Sequence, residues 1–166
     1  MRKVIYVIGL PLMLFSLSCT KSIPDYGNTA TVGLANGWWA VLYDDAGNAL
    51  TNPAFFVTHN TAGNTDSIWV DDLKHGYQFK CKAKVDNANL TFAVTNSTNE
   101  YYTLSPAGGF APTVNITGGK VLPKAGHSLA GNITDSIYMK AVFSDDPTTT
   151  YIIAGTARTG FIEDDY

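Results

Sequence analysis

Three histidines are the first residues to weigh for chemistry, because imidazole changes charge close to neutral pH. His59 ends the run Phe56-Val57-Thr58-His59-Asn60, while His75 and His127 each sit beside a glycine. His59 with Ser67 and Asp66 would supply the parts of a hydroxyl nucleophile and its base, the equipment of an esterase. Nothing in the spacing selects that set over other serines and aspartates. No pair of histidines has the spacing of zinc ligands, so no metal is expected. The chain has no Gly-x-Ser-x-Gly elbow, Cys-x-x-Cys pair or phosphate-cradling glycine loop, and no cofactor is expected. Glu163-Asp164-Asp165 has the clustered carboxylates that suit calcium. The favoured reading is structural: these acids pair with Arg158 and cover one end of the domain while Phe161 packs. Cys81 falls on the apolar side of Phe79-Lys80-Cys81-Lys82-Ala83-Lys84-Val85 and reads as a buried, inert thiol.

The elements that must position these residues read as strands. Period-two alternation marks 37–44, 54–60, 66–71, 76–85, 89–95, 112–117, 119–123, 134–144 and 150–158. Asp44 to Asn48, Ala62-Gly63-Asn64, Asp86 to Asn89, Gly118-Gly119 and Asp145-Asp146-Pro147 supply turn chemistry between them. Eight or nine sequential strands would leave exposed edges unless the sheet closes. The expected fold is therefore all-β, an antiparallel up-and-down β-barrel of about eight strands, with a two-sheet sandwich as the alternative. A long connection from Asn96 to Ala111 carries Tyr101, Tyr102, Leu104 and Phe110, apolar matter to lay across an opening. Asp66-Ser67-Ile68 recurs as Asp135-Ser136-Ile137; such residues bond backbone amides where a chain leaves a turn. The same triplets resemble a bacterial O-glycosylation acceptor at Ser67 and Ser136.

The 166 residues suit one folded domain, 45% hydrophobic and 12% aromatic. Arg2 and Lys3 followed by the apolar run Val4 to Leu17 have the pattern of a secretory signal. Leu17-Ser18-Cys19 resembles the lipobox of bacterial lipoproteins, in which the Cys becomes acylated. The organisation expected is a signal over 1–18, a lipidated Cys19 and polar tether over 19–34, and a barrel over 35–166. Loss of residues 1–18 leaves nine basic and fourteen acidic residues, a net charge of -5. Such a balance offers no footing for nucleic acid. The expected setting is the cell envelope, at the outer membrane, as a monomer held to the membrane through acylated Cys19.

Gly37-Trp38-Trp39 on the first strand and Arg158 on the last resemble the calycin pattern of lipocalins and fatty-acid-binding proteins. That resemblance implies that Gly37, Trp39 and Arg158 close the barrel, with Trp39 plugging its end beneath the guanidinium. Further marks are Ser67-Ile68-Trp69-Val70-Asp71-Asp72-Leu73, Thr134-Asp135-Ser136-Ile137-Tyr138 and the ending from Gly155 to Asp164. Over about residues 35–166 the chain resembles exported bacterial lipoproteins described as lipid-binding putative hydrolases of the calycin group. The function expected is to hold a lipid or other small hydrophobic ligand inside the barrel. Its liners, by inward alternation, are Tyr77, Phe79, Phe92, Tyr138 and Tyr151, with Tyr101, Tyr102 and Phe110 at the mouth. A one-residue slip would invert that set. The alternatives are an esterase-like hydrolase and an envelope or glycan interaction module, the latter requiring Trp38, Trp69 and the Tyr pair to form an exposed patch.

Overall fold

Val, Ile, Thr and aromatic residues in short alternating runs favour a pleated, half-buried backbone over a helix. The computed structural model describes residues 29–63, 66–102 and 111–166. Eight strands follow in order: β1 (Asn36–Tyr43), β2 (Ala54–Asn60), β3 (Ser67–Asp71), β4 (Lys80–Asp86), β5 (Thr91–Thr98), β6 (Thr113–His127), β7 (Ile133–Phe143) and β8 (Asp146–Ala157). Each pairs antiparallel with its neighbours in sequence, and β8 returns to β1 to close a barrel. The closing seam sets Trp38 opposite Ala157 and Tyr43 opposite Ile152. Arg158 then donates its amide to Gly37 O at 2.8 Å, carrying the ladder one step further. Closure pairs both edges of every described strand, which removes the sandwich alternative.

The seam also decides which side chains point inward. Trp38, Ala40 and Leu42 of β1 face Ala157, Gly155 and Ile153 of β8 across the interior side of the wall. The core continues through Phe56, Val70, Phe79, Cys81, Ile116, Met139 and Phe143, and every member lies between residues 34 and 157. Among the described residues the core and every strand pairing fall within residues 34–157, so 29–166 holds all the contacts that close the barrel.

Several element boundaries differ from the sequence expectation, among them the start of β8, which takes in Asp146 and Pro147 of the expected turn, and the end of β6, which runs on to His127. The candidates 112–117 and 119–123 are one strand, β6, because Gly118-Gly119 makes a bulge and not a turn. Gly118 takes φ +61, and a Cβ on Gly119 would lie 2.5 Å from Phe92 O, so only glycine permits this approach. The candidate 76–85 begins at Lys80, since Gly76-Tyr77-Gln78 belongs to the turn after β3. The candidate 89–95 shifts to 91–98, which moves the start of the long connection to Asn99.

Connections alternate between two ends. The base gathers the entering segment Thr29–Ala35, the loops after β2, β4 and β6, and the tail beyond β8. The mouth gathers the connections after β1, β3, β5 and β7.

Candidate functional site

At the mouth, the turn 72–79 folds back over the barrel because one buried carboxylate collects its amides. Asp72 accepts N–H bonds from Lys74 at 2.9 Å, Gln78 at 2.7 Å and Phe79 at 2.9 Å. Burial pushes its pKa up, against the pull of those donors. Asp71 beside it takes Lys80 Nζ at 3.2 Å, the Leu73 amide at 2.8 Å and the Tyr101 hydroxyl. Buried Asn99 accepts from the Lys80 amide at 3.1 Å and the Tyr101 amide at 3.2 Å, and its Nδ2 donates to Gln78 O at 3.0 Å. These three side chains tie the turn to the start of the connection between β5 and β6. Leu73, Lys74 and Gln78 hold φ of 50, 64 and 65°, so the turn carries backbone strain at residues that are not glycine.

Tyr77 is what the turn delivers. Its ring lies flat on Phe143, 3.6 Å away and 2° from parallel, with Tyr151 edge-on at 5.1 Å. Its hydroxyl donates to Asp145 at 3.1 Å, while the Tyr151 hydroxyl donates to Asp146 at 2.8 Å. Desolvation, and then the Asp145 carboxylate, push the Tyr77 phenol up. Beneath this cap lies an apolar recess among Ala40, Leu42, Ala54, Phe56, Phe79 and Ile153, with Thr51, Asp72 and His75 at its edge. Its free volume is about 20 Å³, which is room for about one water. The expected greasy hollow is therefore filled by side chains. An eight-stranded barrel has just enough interior for side chains or one small ligand, and here the side chains occupy it.

The sequence-derived residues divide between the faces. Phe79 and Phe92 are buried inside, and Tyr77 and Tyr151 pack against the core at the mouth. Tyr101 and the exposed Tyr102 lie at the mouth. Tyr138 does not line the interior: its neighbours Ile137 and Met139 point in, and its own ring lies outside beneath Lys120 Nζ at 5.4 Å. Phe110, Leu104 and Cys19 lie outside the described residues. Gly37 and Arg158 do serve closure, through the backbone bond that extends the seam. Trp39 is not the plug. The seam register turns it outward, against Phe55 and Tyr166 with centroids 5.6 Å away in each case. Trp38 takes the interior place, its Nε1 donating to Thr58 Oγ1 at 2.9 Å. Arg158 lies over Phe55 at 5.8 Å and forks onto Asp165 at 2.7 and 2.6 Å, the pairing expected of the acidic tail.

The hydrolase set does not assemble. His59 lies outward opposite Trp69, where burial and then nearby Lys80 lower its pKa. Ser67 is buried and bonds Asp66 and Thr61 at 3.2 Å each; among the described residues His59 bonds neither Ser67 nor Asp66. His75 instead places Nδ1 2.9 Å from Phe55 O, bracing the turn against β2. No group of three His, Cys, Asp or Glu among the described residues could hold a metal ion. Trp38 is buried, so the exposed aromatic patch of the interaction-module reading does not form. Sequence reasoning passed over Asp72 and Asn99. Their signal was Asp72-Leu73-Lys74-His75-Gly76, which is Asx-turn chemistry, and an Asn directly after a strand.

A family model described as lipid-binding putative hydrolase matches residues 23–162. The chain belongs to this family. No curated protein matches it significantly. The closed eight-stranded barrel agrees with the calycin resemblance of the sequence.

Proposed function

We propose that the barrel binds the acyl chain of a single-chain lipid through its mouth, entering under the 72–79 turn. The observation that carries this reading is the apolar recess directly beneath Tyr77, walled by Leu42, Phe56, Phe79 and Ile153 and edged by only a few polar groups. Because the recess holds only about 20 Å³, a chain enters by displacing Tyr77 and Phe79, and the strained turn is the part that yields. The family description as lipid-binding supports the same reading. In this proposal the protein works at the cell envelope, exported by the signal over residues 1–18 and held at the outer membrane by acylated Cys19, as a monomer.

Native mass spectrometry of residues 29–166, together with displacement of a neutral hydrophobic dye by single-chain lipids, tests binding. A retained lipid, or competitive displacement, is expected. Tyr77→Ala should speed dye entry severalfold by removing the cap while leaving the core intact. No bound lipid and no dye uptake in either protein would end the proposal.

A further inference from the structure

The base of the barrel presents an apolar surface that the lipid-binding reading does not use. Ile162 is 88% exposed, Ile133 68%, Phe161 59% and Leu129 55%. The expected packing of Phe161 therefore fails: its ring stands in water. Leu129 lies in the loop joining β6 to β7 and Ile133 is the first residue of β7; Phe161 and Ile162 lie in the tail beyond β8, and the two segments meet at Asp164. That carboxylate, itself 1% exposed, accepts the Ala130 amide at 2.8 Å, Asn132 Nδ2 at 3.2 Å and Thr159 Oγ1 at 2.6 Å. A short 3-10 turn, Ile162–Asp164, fixes the tail above the loop. Bidentate Arg158–Asp165 pairing holds the tail's far side. Large apolar side chains are thus held outward by a set of satisfied polar bonds. A monomer seldom holds so much apolar surface together without something that covers it.

We infer that this end of the barrel inserts its apolar tip into the surface of a lipid bilayer. The occupant is indicated by where the chain enters. Thr29–Ala35 lies at the base, so the tether that begins at Cys19, acylated in the proposed function on which this step rests, joins the barrel at the same end. Both ends carry carboxylates: Asp44, Asp45, Glu100, Asp145 and Asp146 surround the mouth, and Asp66, Asp86, Asp135 and the exposed Glu163 lie at the base with Asp164 and Asp165. What the base adds is its set of exposed apolar side chains, at the end by which the chain is tethered, and a bilayer met at that end covers them. A second copy is a poorer fit, because four exposed side chains fall short of the roughly 800 Å² per partner that a stable interface buries. The inference stands whether or not the barrel itself holds a lipid.

The test uses residues 29–166, which lack both the apolar run and Cys19. Co-sedimentation is measured with vesicles of phosphatidylethanolamine and phosphatidylglycerol and with vesicles of phosphatidylcholine. Binding to both is expected. Ile162→Asp and Phe161→Asp, at surface sites that leave the circular dichroism unchanged, should each weaken binding roughly tenfold. Leu50→Asp, also exposed but at the mouth, should leave it unchanged. A polarity-sensitive dye on Ile162→Cys should shift to the blue with vesicles, and the same dye on Leu50→Cys should not; buried Cys81 stays unlabelled. Failure of the unsubstituted chain to bind would overturn the inference, as would an equal dye response at both sites. So would a dimer in equilibrium sedimentation that Ile162→Asp dissolves while vesicles bind neither protein.

Discussion

A single hydroxyl, that of Thr58, completes the interior of the base. It accepts from Trp38 Nε1 at 2.9 Å and donates to Leu34 O, and all three residues are buried. Thr58→Val keeps the shape and orphans both partners, so it should cost about 2–3 kcal/mol in chemical denaturation, while Thr58→Ser should recover most of that. This role was not legible in the sequence, where Thr58 is one of many strand threonines. The neighbouring question, which tryptophan points inward, depended on a register that only the β1–β8 seam settles. Cys81 was legible, because strict alternation with three lysines leaves it one face to occupy. Burial pushes its thiol up from about 9 to about 12. Above pH 9 the unfolded chain therefore gives up that proton first, binds fewer protons than the native state, and gains in relative stability. Stability should fall as pH rises from 9 toward 12, by at most about 1.4 kcal/mol per unit from this group. Cys81→Ala should flatten that decline in denaturation midpoints measured across the range.

At the level of elements, closure concentrates in one seam. Gly155 lies opposite Ala40, and a Cβ there would meet Trp39 O at 2.2 Å and Ala40 Cα at 2.6 Å. Both are backbone atoms of the partner strand and have nowhere to go. Gly155→Ala should therefore destabilise by roughly 1–3 kcal/mol or more, with β1 and β8 amides losing hydrogen-exchange protection first. Gly63→Ala, in a turn with open space around it, should stay within about 0.5 kcal/mol of the parent. Strand existence was readable from alternation almost everywhere, because one buried face imposes a period of two. Boundaries failed where the chain departs from that period. At Gly118-Gly119 a bulge uses the same residues as a turn. At Lys124 a second irregularity in β6 has positive φ, and its amide is taken by Asp135 Oδ1 at 2.8 Å. Asp135 opens one of the two Asp-Ser-Ile triplets, so this copy does the backbone-bonding work its composition suggested.

For the whole molecule, the barrel was legible and its filling was not: alternation says which residues face in but not whether their volumes meet. Phe56, Phe79, Phe143 and Trp38 fill the interior around the recess at Tyr77. What the folded chain adds is a field. Asp44, Asp45, Glu100, Asp145 and Asp146 crowd the mouth, with Lys74 as the cation of the covering turn and Lys80 already paired to Asp71. The Asn48 side chain holds Asp44 below the usual carboxylate range, and the Tyr151 hydroxyl does the same for Asp146, so both stay charged through neutral and mildly acidic pH. A lipid whose head ends at this rim meets net negative charge. At equal chain length a monoacylglycerol should bind more tightly than a fatty acid, by roughly threefold to tenfold, about what one or two screened like charges at a surface contribute. The contrast should shrink toward unity at 1 M salt, where the Debye length falls to about 3 Å. Neutralising the rim with Asp45→Asn and Glu100→Gln should shrink it at low salt as well. Competition titrations at low and high salt measure both effects, and a fatty acid that binds better than its glyceryl ester at low salt would show that the mouth is not where the head resides.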